Sequence, residues 1–284
     1  MKDKVENKNI NIQQLQTQIE KEQKNEQKEK QQHKNCENML SFALNSNLRN
    51  GVDFLLVAEN KKTIQLKNNE WNYYNFGIFL LGENIILTVK LNSFFTTEYG
   101  HLKIKTSHLW IKHSSKIDCS GLGYPSGQGP GKGKSVRCGG GYGTKGEGNK
   151  KGGEMYGEET LLKQIHFGSG GGVGGFGVGV GGSGGGIIEL IIEQQLINHG
   201  LIQSNGEDGI SGGGNGSGGS ILIELQCQSH SNKVKQTFGT ITCIGKNQNE
   251  EYKGGKGRIA IYGIELPSDD ILKIDPIPFN RIHK

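Results

Sequence analysis

Three six-residue stretches decide the fold of this 284-residue chain: KIDCSG at residues 116–121, LIQSNG at 201–206 and TITCIG at 240–245. All three fit the pattern X-Ile-X-(Cys/Ser)-X-Gly, in which a short apolar run ends at a glycine. A pattern that recurs along one chain indicates repeated structural units, each of which buries its apolar face against its neighbours.

The pattern also predicts which side chains stack. Alternate residues of a strand share a face, so the Ile and Cys/Ser positions of each stretch point the same way. If the units stack as parallel rungs, these positions form two inward-facing ladders. The predicted structural ladder consists of Ile117, Cys119, Ile202, Ser204, Ile241 and Cys243.

Other segments repeat in a second register. GGGII at 184–188 aligns with GGSIL at 218–222 and, more loosely, with KGRIA at 256–260. Upstream, the alignment places Leu102 opposite Ile187. A third inward row is predicted at Ile221, Ile223, Leu225 and Cys227.

Short β-rich runs bounded by Gly, Asn, Ser or Lys read as strands joined by tight turns. About 17 residues separate Leu87 from Ile104, which we interpret as one coil of a parallel β-helix. Parallel crossovers are almost always right-handed, so the predicted fold is all-β, a right-handed parallel β-helix or solenoid. The alternative is a sandwich of antiparallel hairpins. The predicted runs are Val52–Val57, Ile64–Leu66, Ile78–Leu81, Ile85–Leu91, Leu102–Lys105, Leu109–Ile111, Ile187–Ile192, Ile221–Leu225 and Ile259–Tyr262.

Glycine dominates the middle of the chain. Of 47 glycines, 42 lie between Gly121 and Gly257, while alanine occurs only three times. We expect long glycine-rich loops at 121–186 and 206–220 within a β-solenoid spanning 39–266. Glycine at this density is typical of a flexible linker, but matching strand patterns on both sides favour loops on a folded scaffold.

The ends of the chain differ from the centre. Residues 1–38 form a low-complexity polar tail, either helical or disordered, and Ile12, Leu15 and Ile19 give only a weak coiled-coil pattern. Residues 267–284 form a C-terminal extension suited to a cap or a linker. The first residues have no apolar segment typical of a secretory signal, so a cytoplasmic location is expected. An N-terminus that continues upstream with such a signal would place the protein outside the cell or on its surface.

Charge and cysteine content exclude several classes. The net charge of +5 comes from 33 basic and 28 acidic residues that are interspersed, which does not indicate a nucleic-acid or membrane partner. Five cysteines without a CxxC pair fit neither a disulfide scaffold nor a zinc site. The most apolar window, residues 76–91, is too short and too polar for a membrane span.

The order of the glycine-rich blocks resembles a known family. IDCSGLGYPSGQGPGKGKS, GGGYGTKGEG, FGSGGGVGG, GGSGGGIIEL, GLIQSNGEDG, GGGNGSGGSILIE, FGTITCIGK and GGKGRIAIYG are similar to the glycine-rich β-solenoid modules of large protist and bacterial surface or extracellular proteins. The resemblance covers about residues 75–265. It implies a pectin-lyase-like parallel β-helix with a structural or adhesive role, and it carries no catalytic motif to this chain.

Two nucleotide-related patterns fail on inspection. GQGPGKGKS at 127–135 resembles a phosphate-binding loop, but Gln128 replaces the first required glycine and no apolar helix follows Ser135. No nucleotide is therefore expected. Nucleic acid is an unlikely partner, because neighbouring glutamates dilute the field of the lysines and tyrosines. The basic and aromatic residues concerned are Lys132, Lys134, Arg137, Lys145, Lys150, Lys151, Tyr124, Tyr142 and Tyr156. We expect the tyrosines to anchor the loops by packing.

No constellation of catalytic or metal-ligating residues is visible. Asp118 is alone in its predicted strand and points outward, and the adjacent Glu207 and Asp208 read as turn residues. His108 and His113 fall on opposite faces of a continuous strand, and His101 lies further away, so no metal site is predicted. We expect no catalytic residue, no cofactor and no enzymatic activity.

The sequence thus favours a noncatalytic structural or adhesion/interaction scaffold with an unknown protein or glycan partner. Two alternatives stay open: a carbohydrate-binding or carbohydrate-active β-helix protein, and an intracellular protein-interaction module.

Overall fold

The computed structural model describes residues 54–57, 63–91, 98–148, 152–174, 179–226, 235–245 and 252–282. For residues 54–57 and 72–78 it describes the backbone only. The chain divides into the units Met1–Arg49 and Asn50–Lys284, and every described residue belongs to the second unit. The predicted polar tail at 1–38 and Cys227 of the third inward row lie outside the described residues.

The described chain is mostly strands, arranged in two parallel sheets. The seven-stranded sheet contains β1 (Phe54–Val57), β3 (Trp71–Leu81), β5 (His101–Ile111), β7 (Ile187–Asn198), β9 (Ser220–Leu225), β11 (Arg258–Tyr262) and β13 (Phe279–Arg281). The six-stranded sheet contains β2 (Thr63–Lys67), β4 (Ile86–Lys90), β6 (Lys116–Asp118), β8 (Leu201–Gln203), β10 (Thr240–Thr242) and β12 (Ile274–Asp275). A single short helix, α1 (Ser268–Ile271), is present in the described part. The all-β prediction is confirmed.

Consecutive strands alternate between the two sheets, and the strand order in each sheet follows the chain. All strand pairings between the described strands are parallel, which excludes the sandwich of antiparallel hairpins. Residues 267–282 supply α1, β12 and β13, and the two strands continue both sheets beyond β10 and β11. The core lies where the inward side chains of the two sheets meet, and every Ile, Leu, Phe and Val there removes apolar area from water.

The coil length predicted from Leu87 and Ile104 is wrong. Leu87 belongs to β4 in the six-stranded sheet, whereas Ile104 belongs to β5 in the seven-stranded sheet. Leu87 pairs instead with Ile117, thirty positions further along the chain. One return to the same sheet therefore takes two strands and their turns, because each unit contributes a strand to both sheets.

The predicted alignment of Leu102 with Ile187 is also wrong, by one residue. Leu102 pairs with Ile188, and Ile188 pairs with Ile221. A shift of one residue in the pairing register moves a side chain to the opposite face of a sheet. The register therefore decides which isoleucine enters the core. Ile188 lies in the core cluster, whereas Ile187 pairs with His101 and lies on the outer face. The looser alignment of 256–260 with 218–222 does match the pairing of Ile259 with Ile221.

The runs predicted as two strands at 102–105 and 109–111 form one strand, β5. The register with β7 shifts between Thr106 and His108, where the partner strand carries an extra residue. Before this irregularity Leu102 and Ile104 face the core, and after it Leu109 and Ile111 do so. The alternation of β5 breaks between Thr106 and His108, where its registers with β3 and β7 both shift, and the strand continues through this point.

The glycine-rich segments are more ordered than the loops that the sequence predicts. The described parts of 121–186 and 206–220, called here the glycine array, contain almost no strand, yet neighbouring stretches are joined by backbone hydrogen bonds. These bonds recur every three residues along both partners, which is the period of a polyproline II helix, a conformation without internal hydrogen bonds. The clearest series is Gly168–Gly185, Gly171–Gly182 and Gly174–Gly179, with distances of 2.8–2.9 Å.

Close backbone packing explains why these positions are glycine. A β-carbon at Gly171 would lie less than 3.0 Å from the carbonyl oxygen of Gly214, and one at Gly184 would approach the carbonyl of Gly168 equally closely. The atoms in the way are backbone atoms, which cannot rotate aside as a side chain does. Glycine is therefore required by the packing of neighbouring stretches, in addition to any role in turns.

Candidate functional site

The predicted ladder residues are fully buried and lie in register. Ile117 pairs with Ile202, which pairs with Ile241, and Ile241 pairs with Ile274 in β12. The row extends in the other direction through Leu87. These side chains fill the core beneath the six-stranded sheet, so their role in the described structure is packing.

The Cys/Ser positions follow directly after these strands and keep the same register. The backbone N–H groups of Cys119, Ser204 and Cys243 donate across to the next rung at 3.0, 2.9 and 2.8 Å. Burial raises the pKa of the Cys119 and Cys243 thiols, which keeps them protonated. A protonated, fully buried thiol is neither a nucleophile nor a ready metal ligand, so these cysteines act as small core residues.

Among the acidic candidates, Asp118 is held by hydrogen bonds from its neighbours. Burial alone would raise the pKa of Asp118, but hydrogen bonds from Lys116, Ser120 and Gln203 lower it. Lys116 and Gln203 both lie 2.7 Å from the same carboxylate oxygen. This carboxylate is ionised and ties β6 to β8 on the outer face of the six-stranded sheet. The side chain of Glu207 lies against Gly121, at a point where that glycine has a φ of +70°.

The three histidines that the sequence singles out do not converge. His101 Nε2 contacts a carboxylate oxygen of Glu189, His113 stacks on His199 with ring centroids 5.2 Å apart, and His108 pairs with Gln195 along the strand. Within the described residues, no group of three or more His, Cys, Asp or Glu side chains is placed to hold a metal ion.

The lysines considered for nucleic acid are partly neutralised. Lys134 and Lys145 each lie 3.0 Å from a carboxylate oxygen of Glu154. Their hydrogen bonds, together with their charges, lower the pKa of Glu154 to about 2. Glu154 therefore pairs directly with Lys134 and Lys145, in addition to lowering the positive potential around them.

The tyrosines anchor the glycine array, as the sequence predicts. The Tyr142 hydroxyl lies 2.7 Å from the Ser220 hydroxyl on the outer face of the seven-stranded sheet. Tyr156 packs on Tyr142 with centroids 4.7 Å apart, and its hydroxyl lies 2.9 Å from that of Ser169. Arg258 of β11 lies over the Tyr142 ring at 5.5 Å. A second apolar cluster holds the array to this face and consists of Leu161, Leu222, Ala260, Tyr262, Ile165 and Phe279.

One cavity in the described part of the chain gives no signal in the sequence. Its volume is about 650 Å³, within the usual range for small-molecule sites. Its walls come from the end of β2 and the turn after it, the end of β4, the segment leading into β5, and Phe167 of the glycine array. The lining residues are Gln65, Leu66, Lys67, Asn68, Asn69, Glu70, Lys90, Glu98, Tyr99, His101 and Phe167.

An aromatic cluster forms one wall of this cavity. Tyr99 lies 5.2 Å from Phe167 and 4.7 Å from Tyr124, measured between ring centroids. Phe167 also meets His101 edge-on at 6.2 Å. Burial and the neighbouring Tyr124 raise the pKa of Tyr99, so its hydroxyl stays protonated. The rings give the cavity an apolar wall next to groups that donate and accept hydrogen bonds.

The rest of the wall is polar and held in place. The Asn68 side chain donates to the Tyr99 carbonyl at 3.0 Å and accepts from the His101 N–H at 2.8 Å. Glu189 pairs with His101 and lies 3.8 Å from Lys103. The residues come from segments about one hundred positions apart, and only the pairing of β5 with β7 and the docking of the array bring them together. No local motif marks them in the sequence.

Within the described part of the chain, no helix combines the length and the apolar character that a bilayer crossing requires. Comparison with protein-family models, with curated proteins and with solved structures finds no match to this chain.

Proposed function

We propose that the protein is a noncatalytic structural scaffold or adhesion and interaction module, built on a right-handed parallel β-helix with a glycine array on one side. The alternation of strands between two sheets, each ordered along the chain, supports the helical path. The handedness is proposed because right-handed crossovers are the rule for parallel strands. The glycine-rich solenoid modules that the sequence resembles have such a role.

The observation that carries the proposal is the way the glycine array is built. Its stretches approach so closely that a single β-carbon meets backbone, and its tyrosines attach it to the outer face of the seven-stranded sheet. Backbone-to-backbone packing of this kind makes a stiff body with few degrees of freedom. A stiff body suits a spacer or a display platform. The buried thiols and paired carboxylates described above provide no reactive group.

A bead assay tests the scaffold and adhesion role. Beads coated with the full chain are passed over surfaces carrying either neutral or acidic polysaccharides or a protein matrix, and both bead retention and released reducing ends are measured. We expect retention on at least one surface without release of reducing ends. Release of sugar ends, or no retention on any surface, would contradict a noncatalytic adhesive role.

The cavity favours carbohydrate binding as a second candidate function. Aromatic rings beside amide, carboxylate and ammonium groups suit a neutral polyhydroxylated ligand, because the lining charges of Lys67, Lys90, Glu70 and Glu98 are balanced. Calorimetric titration with a panel of neutral oligosaccharides tests it. Phe167→Ala should abolish any binding, whereas Leu272→Ala, which removes an exposed side chain outside the cavity and the array, should leave it unchanged.

A further inference from the structure

Four aliphatic side chains of the glycine array are exposed to solvent as neighbours. Val136, Val173, Val180 and Ile210 are 43%, 51%, 56% and 68% exposed. We call them the apolar patch. Val180 and Ile210 exchange two backbone hydrogen bonds of 3.1 and 2.8 Å, and the Gly174–Gly179 bond places Val173 opposite Val180.

A cationic residue, Arg137, lies beside the patch. The Arg137 N–H donates to the Val173 carbonyl at 3.3 Å, and the Arg137 Nε lies 3.3 Å from the β-carbon position of Gly212, two residues after Ile210. The guanidinium also lies over the Tyr252 ring at 5.9 Å. Lys132 precedes the patch on the same stretch, and neither cation has an acidic partner among the ion pairs of the described residues.

The backbone at this place is held in a costly conformation. Arg137 has a φ of +61° and Ser211 a φ of +51°, values that side chains other than glycine seldom adopt. The glycines around them carry no side chain that can fold over the four aliphatic groups. The array therefore presents these side chains outward and does not let them collapse onto the protein.

The size of the patch separates two kinds of partner. A stable protein interface needs about 800 Å² on each side, far more than four aliphatic side chains provide. A lipid interface needs no shape complementarity, since its affinity grows with each inserted apolar group and with each cation near anionic headgroups. Exposed aliphatic groups with an arginine beside them meet both requirements.

We propose that the apolar patch inserts into the interfacial region of a membrane that contains anionic lipid, with Arg137 and Lys132 contacting the headgroups. The inference does not depend on the proposed adhesion role. The bead assay contains no lipid, so the two proposals can fail separately. It assigns a peripheral membrane contact to a chain whose overall composition does not indicate one.

Vesicle flotation with the full chain tests the proposal. We expect the chain to float with vesicles of phosphatidylcholine and phosphatidylserine at roughly 70:30, and to bind vesicles of phosphatidylcholine alone much more weakly. The double variant Val173→Ser/Ile210→Ser should lower the partition coefficient by about tenfold or more. Arg137→Gln should reduce both binding and its sensitivity to salt.

Leu272→Ser serves as the matched control, because Leu272 is exposed at α1, outside the array. Its partition coefficient should equal that of the parent chain. A dye attached at Ile210→Cys should shift to the blue on adding vesicles, and one at Leu272→Cys should not, which tests insertion without deleting the patch. No flotation, equal binding to neutral vesicles, or self-association through Ile210 without vesicle binding would each overturn the proposal.

Discussion

Gly171 illustrates what single residues decide in this molecule. A β-carbon there would fall less than 3.0 Å from the carbonyl oxygen of Gly214, and the Gly171 N–H itself donates to Gly182 at 2.9 Å. The space for a methyl group is already filled by backbone that is committed to other hydrogen bonds. At this position glycine is required by contact with a neighbouring stretch and not by a left-handed φ.

Gly171→Ala should therefore destabilise the fold. Overpacking a well-packed site costs about 1–3 kcal/mol, and a backbone neighbour places the result at the upper end. Urea denaturation measures the change in the free energy of unfolding. Gly127→Asn is the control, since Gly127 has a φ of +69° and open space around it, and asparagine tolerates that conformation. Equal stability of Gly171→Ala and the parent chain would show that the array opens easily.

His166 makes the stability of the array depend on pH. Burial, followed by the positive charge of Arg258, lowers its pKa, whereas Glu158 opposes the shift. The unfolded chain binds a proton at His166 below about pH 6.5, and the folded chain does so only at lower pH. The stability present above about pH 6.5 is therefore lost as the pH falls through the folded-state value.

His166→Gln should flatten this part of the stability curve. Urea midpoints measured between pH 7.5 and pH 5 should fall for the parent chain and fall less for the variant, because carboxylates titrate mainly below this window. The Tyr142 and Tyr156 rings that pack on His166 remain in both proteins. Parallel curves for the two proteins would mean that His166 titrates as it does in the unfolded chain.

The strands and their inward faces were predictable from the sequence where the repeat fixed a single isoleucine position. Ile117 and Ile241 each stand between polar neighbours, and Ile202 takes the same position in the repeat, so their shared face follows from alternation and their pairing follows from the repeat. Ile187 and Ile188 are adjacent isoleucines, and the sequence alone allows either of them to face the core. In the structure Ile188 lies in the core. The cavity was not predictable, because Tyr99 meets Phe167 only where the glycine array packs beside the start of β5.

The attachment of the array to the seven-stranded sheet is the element-scale interaction that most needs a test. Tyr142 is fully buried between them, and burial raises its pKa to about 12, so its hydroxyl remains a donor. Tyr142→Ala should cost about 3–5 kcal/mol, as for other buried aromatic truncations. Tyr142→Phe should cost only about 0.5–1.5 kcal/mol, the value of the hydroxyl contact with Ser220.

Urea denaturation of the two variants, with hydrogen exchange at β9 and β11, measures this coupling. We expect Tyr142→Ala to raise backbone amide exchange in both strands. A loss of exchange protection confined to the array, with unchanged exchange in the strands, would mean that the array and the sheet fold independently.

At the scale of the whole molecule, each rung of the proposed β-helix would be stabilised by its neighbours, so the last rung should control the end of the stack. Ile274 in β12 closes the row above Ile241 and is buried, whereas Ile277 is 79% exposed three residues later. Ile274→Ala should cost about 2–5 kcal/mol through the cavity it leaves, and Ile277→Ala should stay within about 0.5 kcal/mol. Because the loss begins at one end, hydrogen exchange in Ile274→Ala should rise in β10 and β11 and stay unchanged in β4. A uniform rise along all strands would instead mean that the two sheets unfold as one cooperative unit, without the nearest-neighbour behaviour that a stacked-rung architecture entails.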